Sequence, residues 1–366
     1  MLPVSRPSLP SLRDYVDKLE QIWSTRLLSN FGTFARELES IAQSYVGNSN
    51  VRATVNCDLG LVISIAALDL PAGAECLLPS FTFNSTLNAV LWNRLTPRFV
   101  DIDAETFNVD LDDVRRRLGS RTRLLVATHV FGSPVDVEPL LALAATGGIR
   151  VVFDAAHAYG ASYRGTKIGD ARLGDFQVFS LSGTKQVTSA EGGLIAARSD
   201  ADIARIELLR AYGFNYDYIS RLVGINGKIS ELHAALGTLT LPGIDEVVRR
   251  RNEIASLYRA RLSTIAGIRF QKVLPHSVSS YKDFAILCPS RRDELAEHLE
   301  QRGVQTKKYF LPLHEMPAYE RFQTGEDDLG DTMTVSSRVL CLPIFNELAD
   351  DDIQLVTSLI VEFYRH

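Results

Sequence analysis

An α/β fold is predicted: a large domain around a mixed, mainly parallel sheet, followed by a small C-terminal α+β domain. Three observations predict it. Up to about residue 200, short apolar runs alternate with helix-patterned runs, the order expected of parallel strands joined by helices. Beyond that point the alternation stops. The chain has 366 residues, 46% of them apolar, enough for one large core and a second, smaller one.

Taken in order, residues 11 to 46 read as helix with a break at SNFG. The expected strands are ECLLP, TPRFVDID, RLLVATHV, IRVVFDAA, DFQVFSLS and GGLIAAR. Helical patterns such as STLNAVLWNRL and DVEPLLALAATGG lie between several of them. Asp200 to Tyr212 reads as helix, and GFNYDYISRLVGINGK as an irregular loop rich in aromatic residues. A long helix then begins twice, as ISELHAALGTLTL and, after Pro242-Gly243, as IDEVVRRRNEIASLYRARLSTI. The segments DFAILCP, RRDELAEHLEQRG and VQTKKYF and the final helix DDDIQLVTSLIVEFYRH compose the small domain. The boundary falls near 243, giving a large domain of 1–243, with the N-terminal helices, and a small one of 244–366. There is no internal repeat.

Charge and cysteine content exclude several function classes. A net charge of −5 and a pI near 5.9 argue against a nucleic-acid partner. The two RRR runs sit in amphipathic helical patterns and read as solvated faces. No apolar run reaches the ~20 residues of a membrane span, so no membrane partner is expected. The opening MLPVSRPSLPSLRDYV is broken by prolines and reads as no signal peptide. Cys57, Cys76, Cys288 and Cys341 are scattered without a CxxC pair, which fits a reduced, cytoplasmic protein with no metal site.

The chemistry concentrates at two strand ends. Open α/β sheets bind ligands beyond the carboxyl ends of their strands. In VVFDAAHAYG, Asp154 ends an apolar strand and His157 follows three residues later. In FSLSGTKQVTSAEGG, Ser180 ends another and Lys185 follows five residues later. Singly these are weak signals: many strand-end aspartates cap helices, and many histidines beside strands only pack. Together they suggest a site for pyridoxal phosphate. The cofactor's aldehyde needs a lysine, its ring nitrogen a carboxylate, and its phosphate hydroxyls and backbone N–H groups.

At these residues the chain resembles the DegT/DnrJ/StrS family of pyridoxal-phosphate sugar aminotransferases. The resemblance covers nearly the whole chain, through LLPSFTFNSTLNAV, PRFVDIDAETFNVD, VVFDAAHAYGASYRG, FSLSGTKQVTSAEGG, GINGKISELHAALG and KKYFLPLHEMPAY. It implies fold type I, that of aspartate aminotransferase. It implies Lys185 as the lysine that forms the Schiff base and then moves protons. Related sugar dehydratases carry histidine there, so Lys185 favours transamination over dehydration. The same matching implies Asp154 at the ring nitrogen, His157 and Phe83 against the ring, and Ser180 on the phosphate. Asn226 matches an asparagine that reaches the phosphate across a homodimer interface, with Lys228 beside it for a substrate phosphate or for the interface. In YFLPLHEM, Tyr309 and His314 match a segment at the mouth of the site. His129 also fits the family and is expected to be structural.

One stretch departs from the family pattern. The phosphate loop is usually Ser-Gly-Thr; here it is NCDLG, with Cys57 for the glycine and Asp58 for the hydroxyl. Asp58 is expected to cap the following helix, leaving backbone N–H groups for the phosphate. The implied reaction moves an amino group from an amino acid, glutamate, to a nucleotide-linked keto sugar. The TKQVTSAEGG version of the lysine segment resembles the 4-aminotransferase branch and favours a 4-keto-6-deoxyhexose. A 3-keto sugar aminotransferase, a sugar dehydratase and a non-catalytic regulatory member are the alternatives.

Overall fold

The structure is a computed structural model describing residues 1–215, 217–323 and 328–365. Among the described residues its main sheet has seven strands. Across the sheet they run Val51–Thr54, Gly193–Ala197, Phe176–Ser180, Arg150–Asp154, Thr122–Thr128, Glu75–Pro79 and Thr96–Val100. The last five pair in parallel, and Gly193–Ala197 runs against both of its neighbours. Each of the six expected strands is present. They read as continuous apolar runs because both faces of the sheet are covered: every residue of Glu75–Pro79, Phe176–Ser180 and Gly193–Ala197 is buried. Val51–Thr54 escaped the sequence reading. It is four residues long, sits at the sheet edge and carries a partly exposed Arg52.

The N-terminal helical region is two helices, Leu12–Thr25 and Thr33–Val46, broken as expected at SNFG. The second starts at Gly32, which has no side chain to cap it. Its first N–H groups are met from elsewhere: buried Glu231 accepts from Phe34 N–H at 2.7 Å and from Ala35 N–H at 3.2 Å. A carboxylate at a helix N-terminus is favoured by both hydrogen bonds and the helix dipole.

The double helix start is also found. Glu231–Thr240 ends in a short 3-10 turn, Leu241–Gly243, from which Ile244–Leu262 continues. The latter helix serves two cores. Ile244, Val247 and Val248 pack with the main sheet's apolar cluster, whereas Ile254, Tyr258 and Leu262 belong to a separate one. That second cluster lies over the antiparallel strands Arg269–Phe270, Phe284–Leu287 and Val339–Leu342. The helices Arg292–Gln301 and Asp350–Arg365 complete it. The first residues of the chain join this C-terminal unit: Leu2 N–H bonds Gly303 O at 2.7 Å and Ile344 N–H bonds Val4 O at 3.0 Å. Nothing in the opening sequence signalled that link.

A short segment before strand Phe284–Leu287 locks the two units together. Ser277–Val278 adds a strand to Ser162–Tyr163. Ser280 N–H then bonds Gly132 O at 3.1 Å, and Lys282 N–H bonds Phe131 O at 2.9 Å. Ser280 Oγ donates to His157 O at 2.5 Å, and Gln186 Nε2 donates to Ser280 Oγ at 2.7 Å. Gly132 permits this approach. Its φ is +92°, and a Cβ there would lie 2.1 Å from Ser280 Oγ and 2.8 Å from His157 O. Gly132→Ala is therefore expected to lower stability by about 1–3 kcal/mol in urea titration. A variant as stable as the parent would contradict the close packing.

Candidate active site

Three neighbouring parallel strands end in Thr128, Asp154 and Ser180. Over these ends opens a cavity of about 280 Å³. Cys57, Asp58, Phe83, Asp154, His157, Ser180, Lys185 and Tyr309 all reach its wall. Residues far apart in sequence therefore meet at one point, which is what the strand-end motifs require.

Asp154 is the buried anion of the site, 3% exposed. Thr86 Oγ1 donates to its Oδ2 at 2.6 Å and Ala156 N–H to its Oδ1 at 3.1 Å. Thr86 is itself held in a hydroxyl chain with Thr82 and Thr128. Burial raises the carboxyl pKa, while these donors and the Lys185 charge pull it down. A cation placed against Asp154 would favour the ionised form further.

Lys185 follows a turn closed by its own N–H on Ser182 O at 3.0 Å. Its side-chain amine is uncommitted, with no hydrogen bond or ion pair among the described residues. Burial, and then the positive charge of Lys282, bring its pKa down from 10.5 to about 8. His157 stands nearby with its ring nearly parallel to those of Phe131 and Phe310. Its Nδ1 is buried without a partner, and burial keeps the ring neutral by holding its pKa well below 6.5. Phe83 is 55% exposed at the cavity, in the N-cap position of helix Asn84–Trp92. A large apolar ring in that place offers a flat ligand a face.

The end of the cavity formed by helix Cys57–Ala67 corrects one expectation. The cap of helix Cys57–Ala67 is Asn56, whose side chain accepts from Leu59 N–H at 2.9 Å, and not Asp58. A cap must precede the helix in extended conformation, and Asn56 does so at φ −163° and ψ 172°. Asp58 lies in the first turn and accepts from Ser85 Oγ at 2.6 Å, tying the starts of two helices together. Ser180 Oγ lies 3.3 Å from Ser182 Oγ on the opposite side. Burial, with Asp154 and Asp58 adding to it, raises the Cys57 thiol pKa and keeps it protonated.

Four residues expected from the resemblance, His314, Asn226, Lys228 and His129, lie off this cavity. His314 is buried with Nδ1 at 2.6 Å from Ser80 Oγ and Nε2 at 3.3 Å from Glu315. Lys228 Nζ donates to Asn226 Oδ1 at 2.7 Å and sits 4.3 Å from the Tyr212 ring centre, away from the cavity wall. His129 is fully buried, its Nδ1 accepting from Val135 N–H at 3.0 Å while its ring stacks on Phe153. Sequence reading missed Lys282, Phe310, Thr86 and Glu191. Thr86 follows Phe83 by three residues at the start of a helix facing the sheet ends, a spacing that could have found it. Lys282 had no such signal, since a lysine before a strand reads as a solvated charge.

The residues present fit pyridoxal phosphate. An uncommitted amine, a buried carboxylate, an unpartnered imidazole nitrogen and two helix N-termini face one cavity. No cluster of metal-binding side chains occurs among the described residues, and no described helix is long and apolar enough to cross a membrane. Fold and site together define a pyridoxal-phosphate-dependent aminotransferase. The chain belongs to the DegT/DnrJ/EryC1/StrS aminotransferase family, whose model matches residues 13–361. It is 31% identical over 366 residues to dTDP-4-amino-4,6-dideoxy-D-glucose transaminase of Escherichia coli, covering 98% of each chain. It is 30% identical to GDP-perosamine synthase of Caulobacter vibrioides, covering 94% of this chain and 93% of that one. The crystal structure of DesI in the presence of its TDP-sugar product superimposes with a TM-score of 0.92 at 32% identity, over 99% of this chain and 93% of that one.

The Lys185 environment is directly testable. Competitive acetylation of cofactor-free protein, read by peptide mass spectrometry, should show this amine becoming reactive around pH 8. Below that pH it is mostly ammonium; at pH 7 roughly one tenth remains neutral. Titration at the ordinary lysine pH would contradict the buried, cation-flanked setting.

Proposed function

We propose that this protein transfers the amino group of L-glutamate to C4 of a nucleotide-linked 4-keto-6-deoxyhexose. The observation that carries the proposal is the uncommitted Lys185 amine in one cavity with the buried Asp154 carboxylate. The C4 position is supported by the relative named for dTDP-4-amino-4,6-dideoxy-D-glucose. Bound between these two residues, pyridoxal phosphate supplies an aldehyde for an amine and a ring that delocalises the electron pair left by a departing proton.

Each residue then has a task. Lys185 would hold the cofactor's aldehyde in the resting enzyme and be free as an amine once the donor is bound. The released amine, neutral in a useful fraction near pH 8, takes the proton from the donor's Cα. In the second half-reaction it delivers a proton to C4 of the sugar. Asp154 keeps the ring nitrogen protonated, because an opposite charge in a buried site favours both ionised forms. Phe83 and His157 would pack against the ring. Ser180, Ser182 and the N-terminus of helix Cys57–Ala67 hold the phosphate. Cys57 flanks it as a neutral thiol, and Asp58 braces that helix start through Ser85. Tyr309 borders the sugar end, and His314, off the cavity and bonded to Ser80, supports the segment that carries it.

With the units divided at 243/244, the site lies between them, since Lys282, Tyr309 and Phe310 of the small unit share its wall. The active form is a homodimer in which Asn226 of each copy reaches the phosphate of the other, with Lys228 at the interface or the nucleotide. In favour are the placement of Asn226 off its own cavity and the exposed apolar side chains of its loop: Tyr212, Tyr218, Ile219 and Val223. Of the aromatic stretch Tyr212 to Ser220, expected at the interface or the sugar pocket, Tyr216 lies outside the described residues. A cytoplasmic location is in keeping with four unpaired, buried cysteines.

Two experiments test the reading. Borohydride trapping and peptide mapping should place the cofactor on Lys185, and Asp154→Asn should retain it while losing turnover by roughly 10² or more. Label on Lys167 or Lys228, or near-normal turnover in Asp154→Asn, would refute these assignments. For the shared site, Asn226→Ala must first weaken cofactor binding by itself. Mixed dimers of that variant with Lys185→Ala should then regain part of the lost activity, since one of their two sites is intact. Verified hybrids that recover nothing would exclude sharing.

A further inference from the structure

The amino donor and the sugar acceptor differ in charge at the reacting carbon. An amino acid carries a carboxylate on the carbon that loses the proton. A keto sugar carries none there, its anionic charge residing on the diphosphate. One cavity must accept both. Among the residues on the cavity wall, Lys282 is the one cation besides Lys185.

Lys282 is held in place from two sides. Its N–H bonds Phe131 O at 2.9 Å. From the helix Ile244–Leu262, buried Arg251 Nη1 donates to Tyr281 O at 2.9 Å and to Lys282 O at 3.2 Å. The side chain is 3% exposed and its ammonium is paired with Asp283 Oδ1 at 3.1 Å. That pair is unsaturated. Asp283 Oδ2 is buried without a hydrogen bond, and two of the three ammonium hydrogens have no acceptor among the described residues. Leaving such groups unpaired in a desolvated place is costly, so an anion entering the cavity finds ready donors. The charge is close to the chemistry: it contributes to holding the pKa values of both Lys185 and His157 down.

We propose that Lys282 binds the α-carboxylate of the amino donor, and that Asp283 balances its charge when the sugar occupies the cavity. The inference rests on the transamination reading and adds the group that recognises the donor. The geometry of the reaction supplies the reason. The carboxylate is one bond from the carbon whose proton Lys185 takes, so it must come to rest within a few ångströms of that amine. Lys282 is the cation there. A bare lysine would be left uncompensated when the neutral end of a sugar enters. With Asp283 next to it in sequence, the ammonium turns toward the donor in one half-reaction and back to its partner in the other.

The test separates the half-reactions. Single turnovers of the cofactor-loaded enzyme, followed by cofactor absorbance, are measured with L-glutamate and, in reverse, with a nucleotide-linked 4-amino-4,6-dideoxyhexose. Lys282→Met is expected to lower the apparent second-order constant for glutamate by about 10- to 100-fold more than that for the amino sugar, the size of one charge-assisted hydrogen bond. Lys282→Arg, which keeps the charge, should restore most of the difference. A second readout needs no turnover: α-methyl-L-glutamate, which has no α-proton, should bind Lys282→Met more weakly by a similar factor in calorimetric titration. Equal losses in both half-reactions, or unchanged binding of α-methyl-L-glutamate, would reduce Lys282 to a structural ion pair and overturn the proposal. If the parent enzyme reacts with neither substrate, the transamination reading itself falls and takes this inference with it. If the parent turns over and only the ratio fails to move, this inference alone is lost.

Discussion

The site depends on keeping an amine reactive inside protein. A lysine in water is an ammonium at neutral pH, and one paired with a carboxylate is more firmly so. Lys185 escapes both conditions: it is partly desolvated, it has no ion-pair partner, and a second ammonium sits nearby. The buried carboxyl of the cavity floor, Asp154, is engaged by Thr86 and by the Ala156 N–H. A Thr86–Thr82–Thr128 hydroxyl chain, drawn from one helix start and one strand end, keeps that carboxylate turned to its place.

Much of the fold serves this separation of charges. The parallel strands bring Thr128, Asp154 and Ser180 to one edge because their register is set by continuous apolar packing on both faces. The antiparallel strand Gly193–Ala197 returns the chain after Lys185. Gly193 is needed there, since a Cβ would lie 2.7 Å from the Asn56 carbonyl carbon at the start of the phosphate-side helix. The C-terminal unit then closes the cavity through Ser280, which grips the backbone of His157 and the side chain of Gln186, the residue after Lys185. The strand ends that carry Asp154 and Ser180 and the second unit are thus mechanically joined beside Lys185.

The parts legible in the sequence are those with local causes. Doubly covered strands announce themselves as apolar runs, and the Pro242-Gly243 pair marks the helix break. Eight of the expected site residues reach one cavity wall, seven of them because their motifs follow strands or begin helices; Tyr309 comes from an irregular segment of the C-terminal unit. The misreadings also have causes. Asn56 and Asp58 are both good capping residues, and only the backbone shows that the helix begins at Cys57. Val51–Thr54 is too short and too polar to declare itself. Lys282 becomes a buried cavity residue through contacts between units separated by more than a hundred residues in sequence, and no local pattern encodes that. Asn226 and Lys228 came from resemblance, and a single copy of the chain leaves them off the cavity.

The central claim concerns where the nitrogen goes. The enzyme is incubated with [15N]-L-glutamate and a nucleotide-linked 4-keto-6-deoxyhexose, and the product is examined by NMR. The account predicts 15N bonded to C4 of the sugar, seen as coupling to H4, with 2-oxoglutarate formed in equal amount. Label at C3, or a sugar that loses water without gaining nitrogen, would contradict it.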